Sequence, residues 1–273
     1  MEKNIYQSLF ENLSFGIAII DNSNQIIESN DLFNLYFKYN PSTKPLKLDS
    51  LHSNFKSVSI ASFEQITKLT SIDKKVLSVQ TKPFNGNLWL IEVVDISLQE
   101  REHEDIYFRA NYDQLTNLPN RDLFNDRCKQ ALSAAHRHKE DLALFFIDVD
   151  DFKSINDTYG HDAGDSILLE SANRLSASVR ESDTVSRWAG DEFSILLPKI
   201  GAKENINQLL NRISENFAKP QQVQDFNISV SLSIGVSLAP QMGTNFNNLM
   251  RFADRAMYEA KESNGFCYKY YSE

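Results

Sequence analysis

Cysteine is scarce in this 273-residue chain: only Cys128 and Cys267 occur, 139 positions apart. Neither belongs to a CxxC pair and no histidine cluster accompanies either, so the sequence offers neither a disulfide framework nor a structural zinc site. Long apolar runs are missing too. Stretches such as Phe15 to Ile20 fall far short of the roughly 20 residues a spanning helix needs, so no membrane segment is expected. Positive charge is in deficit, with 28 basic against 37 acidic residues and a net charge of −9. A broad positive field for gripping nucleic acid or an anionic membrane is therefore excluded, and any polyanion handled must be small and neutralised by metal. The start, Met1-Glu2-Lys3-Asn4, lacks the basic stretch and cleavage site of a signal peptide, which predicts a cytoplasmic protein. No GxxxxGK[ST] loop is present to cradle phosphates.

What is there is an ordinary globular composition, 41% apolar and 24% charged, long enough for two modest cores. Residues 1–100 carry nine lysines, no arginine and eleven acids, a net −2, and the remainder carries −7. That shift predicts a boundary near residue 100. The first part reads as a helix (6–12), strands at 15–21 and 26–28 turned by Asn22-Ser23-Asn24, short helices, and strands at 66–71, 76–82 and 88–94 with an Asn85-Gly86 turn. From Ser97 the chain is highly charged and free of Gly and Pro until Pro119, and Ser97 with Glu100 fits a capping box, which predicts a connecting helix. Its apolar positions keep heptad spacing poorly. Next come a helix (121–136), an apolar strand (142–149), a helix (162–179), a hairpin about Ala189-Gly190-Asp191, a helix (206–217), a strand (226–238), a helix (245–261) and a strand near Tyr268. The division is 1–97, 98–112 and 113–273, and the fold class is α+β: a mixed sheet flanked by helices.

The buried strand 142–147 runs straight into Asp148-Val149-Asp150-Asp151. Carboxylates gathered at the end of a buried strand repel one another unless a hard divalent cation neutralises them. An EF-hand is excluded, because Phe152 and Lys153 stand where that loop wants an Asp or Asn and then Gly. A second pair of acids, Asp191 and Glu192, sits at a hairpin tip whose Gly190 lets a ligand approach the backbone closely.

Together these residues resemble the GGDEF family of diguanylate cyclases, which join two GTP molecules into cyclic di-GMP. The namesake motif stands as Ala189-Gly190-Asp191-Glu192-Phe193. The likeness covers about residues 111–273 and includes Asp113-Gln114-Leu115-Thr116 with Asn120-Arg121, Asp148 through Asp157, Tyr159 through Asp165, Ser231 through Val236, and Ala253 through Lys261. It implies a nucleotidyl cyclase or palm-type fold.

By that resemblance Asp148, the main-chain carbonyl of Val149 and Asp191 would hold magnesium, with manganese as an alternative, on the GTP phosphates. Either Asp191 or Glu192 would accept the proton of the attacking hydroxyl. Lys153 would stabilise the transition state, and the amides near Phe152 and Lys261 would bind phosphate. Asn156 and Asp165 would read guanine, with His161 near the sugar or base. Arg180 and Asp183 match the family's RxxD inhibitory site for cyclic di-GMP, where an ordinary i,i+3 ion pair is the alternative reading. One departure stands out: the family follows the Lys261 position with two residues, a glycine, a base and Asn, whereas Gly265 or Phe266 occupies the position of the base here. That predicts weaker hold on GTP.

Residues 1–97 resemble a PAS sensor through the Phe15 to Asp21 strand, Asn30 opening a helix, and the exit Val93-Val94-Asp95-Ile96-Ser97. No cysteine precedes Cys128 for flavin photochemistry and His52 is this part's only histidine, so no sensor cofactor is expected. The resemblance implies a homodimeric, sensor-regulated cyclase, and the acidic charge balance with short apolar runs predicts contact with neither nucleic acid nor membrane. A noncatalytic receptor for GTP or cyclic di-GMP is the rival.

Overall fold

Asn30 is fully buried and makes four hydrogen bonds that tie the N-terminal elements together. Its Oδ1 accepts from the amides of Ile17 (2.9 Å) and Phe33 (3.0 Å), and its Nδ2 donates to the carbonyls of Phe10 and Phe15. The computed structural model describes residues 2–42, 47–51, 67–71, 73–201, 204–223, 226–263 and 265–272. It divides into two units, Met1–Ile106 and Tyr107–Glu273.

The first unit comprises α1 (Glu2–Glu11), β1 (Gly16–Asp21), β2 (Ile26–Ser29), α2 (Asp31–Phe37), β3 (Thr67–Thr70), β4 (Val76–Phe84) and β5 (Leu88–Asp95). The strands form one antiparallel sheet in the order β2-β1-β5-β4-β3. This β-rich unit is consistent with a PAS-like fold. Alternate residues of the strands (Ala18 and Ile20, Leu77 and Val79, Ile91 and Val93) pack with Phe33 and Phe37 into its core, as period-two patterning requires. Both sequence-predicted turns form: Asp21 accepts from the amides of Ser23 and Gln25, and Asn85 and Gly86 take positive φ. His52 and Ile66 lie outside the described residues.

The helix α3 (Ser97–Asn111) forms, but the capping box does not. Ser97 Oγ instead accepts from the Val76 amide (2.9 Å), and the Glu100 carboxylate pairs with Lys68 (2.8 Å), so tertiary partners outcompete the local motif. No residue of α3 is buried, and Leu98 and Ile106 are 70% and 67% exposed.

The second unit holds α4 (Arg121–His138), β6 (Leu142–Val149), α5 (Phe152–Tyr159), α6 (His161–Ser178), β7 (Thr184–Ala189), β8 (Glu192–Leu197), α7 (Glu204–Phe217), β9 (Gln221–Val223), β10 (Phe226–Ile228), β11 (Leu232–Ala239), α8 (Phe246–Lys261) and β12 (Cys267–Tyr270). Its main sheet runs β12-β11-β6-β8-β7, parallel between β11 and β12 and antiparallel elsewhere. The central strand β6 is buried on both faces. Ala143, Phe145, Ile147 and Val149 join the core with α6 and α7, while Leu142, Leu144 and Phe146 face α4 and α8. Helix α8 lies so close to β11 that a Cβ on Gly235 would fall 1.9 Å from the Ala253 carbonyl oxygen. That contact carries the far end of α8, Lys261, to the end of β6.

Two sequence expectations fail here. Residues 226–238 form two strands, not one: β10 turns back on β9, which the periodicity does not predict, and β11 enters the main sheet. The break falls where Ser231 bonds Asp150 through its hydroxyl and its carbonyl, which draws the chain onto β6. Helix α5 is likewise absent from the sequence reading. It begins after Asp151, whose φ of 56° turns the backbone sharply out of β6.

Candidate active site

Asp148, 6% exposed, is the next-to-last residue of β6 and pairs across the sheet with Glu192 on one side and Ser233 on the other. Lys261 Nζ lies 2.9 Å from its carboxylate. Burial pushes the Asp148 carboxyl above its ordinary value, Lys261 opposes that rise, and the charges of Asp191 and Asp150 add to it. Burial likewise raises Glu192, with the charges of Asp148, Asp191 and Asp254 adding to it. For Lys261 burial alone would lower the value, but the Asp148 contact and the other acids raise it. The end of β6 therefore carries excess negative charge that Lys261 only partly compensates.

The acidic run is not a uniform cluster. Asp150 is committed to structure: its two carboxylate oxygens accept from Ser231 Oγ (2.6 Å) and Ser233 Oγ (2.7 Å). Asp151 is exposed at the start of α5 and makes no side-chain cap, so the first amides of that helix are left uncapped by any side chain. Such amides can receive anionic oxygen.

The second acidic pair stands at the β7–β8 tip. Gly190 takes φ 51° in open space, and the Asp191 carbonyl accepts from the Val149 amide at 3.2 Å. A register shift between Arg187 and Ala189 leaves Trp188 as an extra residue, held edge-on by Phe124 and Phe146 with the Arg121 guanidinium 4.6 Å from its ring. Asp148, Asp191 and Glu192 thus converge electrostatically from two strand ends. Among the described residues no group of three or more His, Cys, Asp or Glu side chains is arranged to hold a metal ion by itself. A cation here would need main-chain oxygen besides Asp148 and Asp191. The donors are all hard oxygens around uncompensated charge, which fits magnesium or manganese.

On the adjoining helices Phe152 is half-buried and Lys153 exposed. Asn156 Oδ1 is buried with no hydrogen-bond partner, an arrangement that ordinarily costs free energy. Helix α6 approaches so closely that a Cβ on Gly164 would sit 1.9 Å from that oxygen. Asp165, the next residue, and His161 are both exposed.

Arg180 and Asp183 lie in the turn between α6 and β7. The Asp183 carboxylate accepts from the Arg180 amide (2.9 Å) and from Ser182 Oγ (3.3 Å). The ion-pair reading of this motif fails, because no ion pair among the described residues joins the two side chains. Gly265 is exposed at φ 82° with open space around it.

Four residues gain significance that the sequence alone does not give them. Arg187 bonds Asp113 and the Gly190 carbonyl, Gly164 makes room for Asn156, and Asp254 adds its charge to Glu192. A glycine inside a helix is the one legible signal, since glycine there costs stability unless contact demands it.

A family model described as the diguanylate cyclase GGDEF domain matches residues 110–265, more than half of the chain. A diguanylate cyclase of Pseudomonas aeruginosa, TpbB, is 39% identical over 186 residues, covering 68% of this chain and 42% of the relative. The crystal structure of that protein's GGDEF domain superimposes with a TM-score of 0.57 at 38% identity, covering 58% of this chain and 99% of the other. The coiled coil and GGDEF domain of DgcB from Caulobacter crescentus, solved with cyclic di-GMP, gives 0.56 at 26% identity, covering 63% and 92%. The chain spans less than half the length of the curated relatives it matches. With the strand-end carboxylates, the Gly190 tip and this match in agreement, the chain belongs to the GGDEF diguanylate cyclase family.

Proposed function

We propose that the protein condenses two GTP molecules into cyclic di-GMP, releasing two pyrophosphates. The observation that carries this reading is Asp148, buried at a strand end against Glu192 with Asp191 nearby and Lys261 opposing them. Asp148, Asp191 and the Val149 carbonyl would hold a divalent cation, which lowers the cost of ionising a ribose 3′-hydroxyl and of charge gathering on the α-phosphate.

The chain's own groups do the rest. Each 3′-hydroxyl attacks the α-phosphate of the facing GTP: a new ester bond forms, the bond to pyrophosphate breaks, and the hydroxyl proton passes to Asp191 or to Glu192, whose burial and acidic neighbours favour proton uptake. Lys153 and the amides opening α5 meet the triphosphate. Asn156, whose buried oxygen lacks a partner, accepts from guanine with Asp165 beside it, and His161 lies toward the sugar. Lys261 leaves Asp148 for a phosphate when the nucleotide arrives. Two facing nucleotides require two subunits, so the working form is a homodimer. Residues 1–97 act as the sensor, residues 98–112 as its connecting helix, and Arg180 with Asp183 bind product as feedback.

Incubation with GTP and magnesium, followed by chromatography, should yield cyclic di-GMP. Asp191→Asn should abolish it while melting as the unchanged protein does. One observation favours a second reading: with glycine at 265, no base stands where the family holds phosphate. A noncatalytic receptor would bind GTP or cyclic di-GMP and form no product in that assay.

A further inference from the structure

We infer that the second unit holds a further ligand site, at the far end of β6 from Asp148, for a small uncharged molecule with a flat apolar body and one hydrogen-bonding group. The site stands whether or not the protein makes cyclic di-GMP. A cavity of about 380 Å3 opens between the last turns of α4 and the segment joining β11 to α8. That volume lies within the range of about 300–1,000 Å3 usual for small-molecule sites. Leu142 opens β6 and pairs with Ala239, the last residue of β11, whereas Val149 pairs with Leu232 beside Asp148 at the opposite end. At about 3.3 Å per residue those ends stand roughly 23 Å apart, so the occupant is not the GTP of the proposed catalytic site. Among the described residues none lines both this cavity and those around Arg180 and Asp183, which keeps it separate from the proposed product site.

Much of the lining is carbon. Leu132, Ala135 and Ala239 reach the cavity from the buried cluster that α4 covers, each no more than 9% exposed, and Pro240 adds its ring. Both walls are held by hydrogen bonds of their own. On one side α4 ends with Lys139 at φ 55°, the Lys139 and Glu140 amides donate to the Ala135 carbonyl, and the Asp141 carbonyl accepts from the Ile200 amide at 3.0 Å. On the other, the Met242 amide donates to the Leu238 carbonyl and the Gly243 amide to the Pro240 carbonyl, both at 2.9 Å, while Met242 Sδ accepts from the Leu238 amide. Walls ordered beforehand cost an incoming molecule little conformational entropy.

The charged groups at the rim select against an ion. Glu140 is paired with Lys199, Lys139 and Asp141 carry opposite charges, and His136 counts as neutral, so the formal charges cancel. An ion would lose water to apolar carbon with no net opposite charge to receive it. Thr244 brings one hydroxyl to the rim, able to donate and to accept, and among the described residues no hydrogen bond occupies it. Indole or a phenol meets these conditions; a carboxylate, an amine or a phosphate does not.

The test titrates the full chain with indole and follows the methyl resonances of Leu132, Ala135 and Ala239, with Ile147 and Ile155 toward the catalytic end as references. Saturable shifts at the first three are expected, with a Kd of about 1 mM or tighter, which a ring system of about nine non-hydrogen atoms supplies at ordinary efficiency. Ala135→Phe should fill the cavity and weaken binding at least about tenfold. Because Ala135 is nearly buried, Thr244→Trp plugs the site from the exposed loop and should give the same loss in a protein that melts as the unchanged one does. Indole-3-carboxylate and tryptamine should each bind at least about fivefold more weakly than indole. Absence of saturable shifts would overturn the inference, as would unchanged affinity in the plugged variants or shifts as large at the reference methyls. A charged analogue that binds as tightly as indole would overturn the uncharged class.

Discussion

Lys261 Nζ lies 2.9 Å from the Asp148 carboxylate, joining the last turn of α8 to the end of β6. The aspartate is nearly buried while the lysine is 39% exposed, so the pair serves mainly to neutralise an acid that would otherwise face Asp191 and Glu192 without a counter-charge. Lys261→Met should destabilise the protein by about 1–2 kcal/mol, below the range for fully buried pairs because water still reaches the lysine. Magnesium should then restore more stability to the variant than to the unchanged protein, since cation and lysine compete for one carboxylate. Thermal melting with and without magnesium measures both; equal gains would show that the cation does not bind at Asp148.

Gly164 is the position at which the guanine-reading proposal meets a hard steric limit. A methyl group there would lie 1.9 Å from Asn156 Oδ1 and 2.9 Å from its carboxamide carbon, so the side chain must move. Gly164→Ala should raise KM for GTP by roughly tenfold or more, the scale expected when a buried hydrogen bond to substrate is lost. Helix α6 should survive, since alanine favours a helix over glycine. Steady-state kinetics beside circular dichroism separate these effects, and an unchanged KM would mean that Asn156 does not touch the nucleotide.

In the N-terminal unit Asp95 accepts from Lys75 Nζ at 2.8 Å and from the Ser97 amide, and its carboxyl is lowered to about 2, chiefly by Lys75 and then by Ser97. A depressed carboxyl contributes stability fully above its unfolded value of about 3.9, and that stability is lost as pH falls toward 2. Asp95→Asn should cost on the order of 1 kcal/mol at pH 7, discounted for exposure of the lysine, and almost nothing at pH 2. Amide exchange in β4 and β5 across that range reads the difference directly. A penalty that persists at pH 2 would place the effect in packing instead of charge.

How much of this was legible depends on how far each residue's partner lies along the chain. Strand β6 could be read exactly at 142–149, because an apolar run ending in acids names both its burial and its limit. The Asn30 cap on Phe33 and the Asn85-Gly86 turn were also legible, their geometry being local, whereas the bonds of Asn30 to Phe10, Phe15 and Ile17 were not. The split between β10 and β11 was not, because it is fixed by Asp150 reaching Ser231 and Ser233, 81 and 83 positions away. The Asp113–Arg187 pair, 74 apart, stayed silent for the same reason. The capping box failed in the opposite sense: a valid local signal at Ser97 lost to a tertiary partner, Val76. Of the acidic run only Asp148 faces the other acids across the sheet, a distinction that composition cannot draw.

The proposed product-feedback site can be tested at Arg180. Its amide, not its guanidinium, holds the Asp183 carboxylate, and among the described residues no ion pair occupies the exposed guanidinium. The side chain is therefore available to fork onto a guanine edge, a charge-assisted contact worth about 1.5–3 kcal/mol. Arg180→Ala should raise the cyclic di-GMP concentration needed for half-inhibition by at least about tenfold, the smallest change that range converts to. Initial rates without added product should stay within about twofold, because the turn lies at the end of β7 opposite the Gly190 tip. Progress curves with and without added cyclic di-GMP measure this, and equal inhibition of both proteins would remove Arg180 from any feedback site.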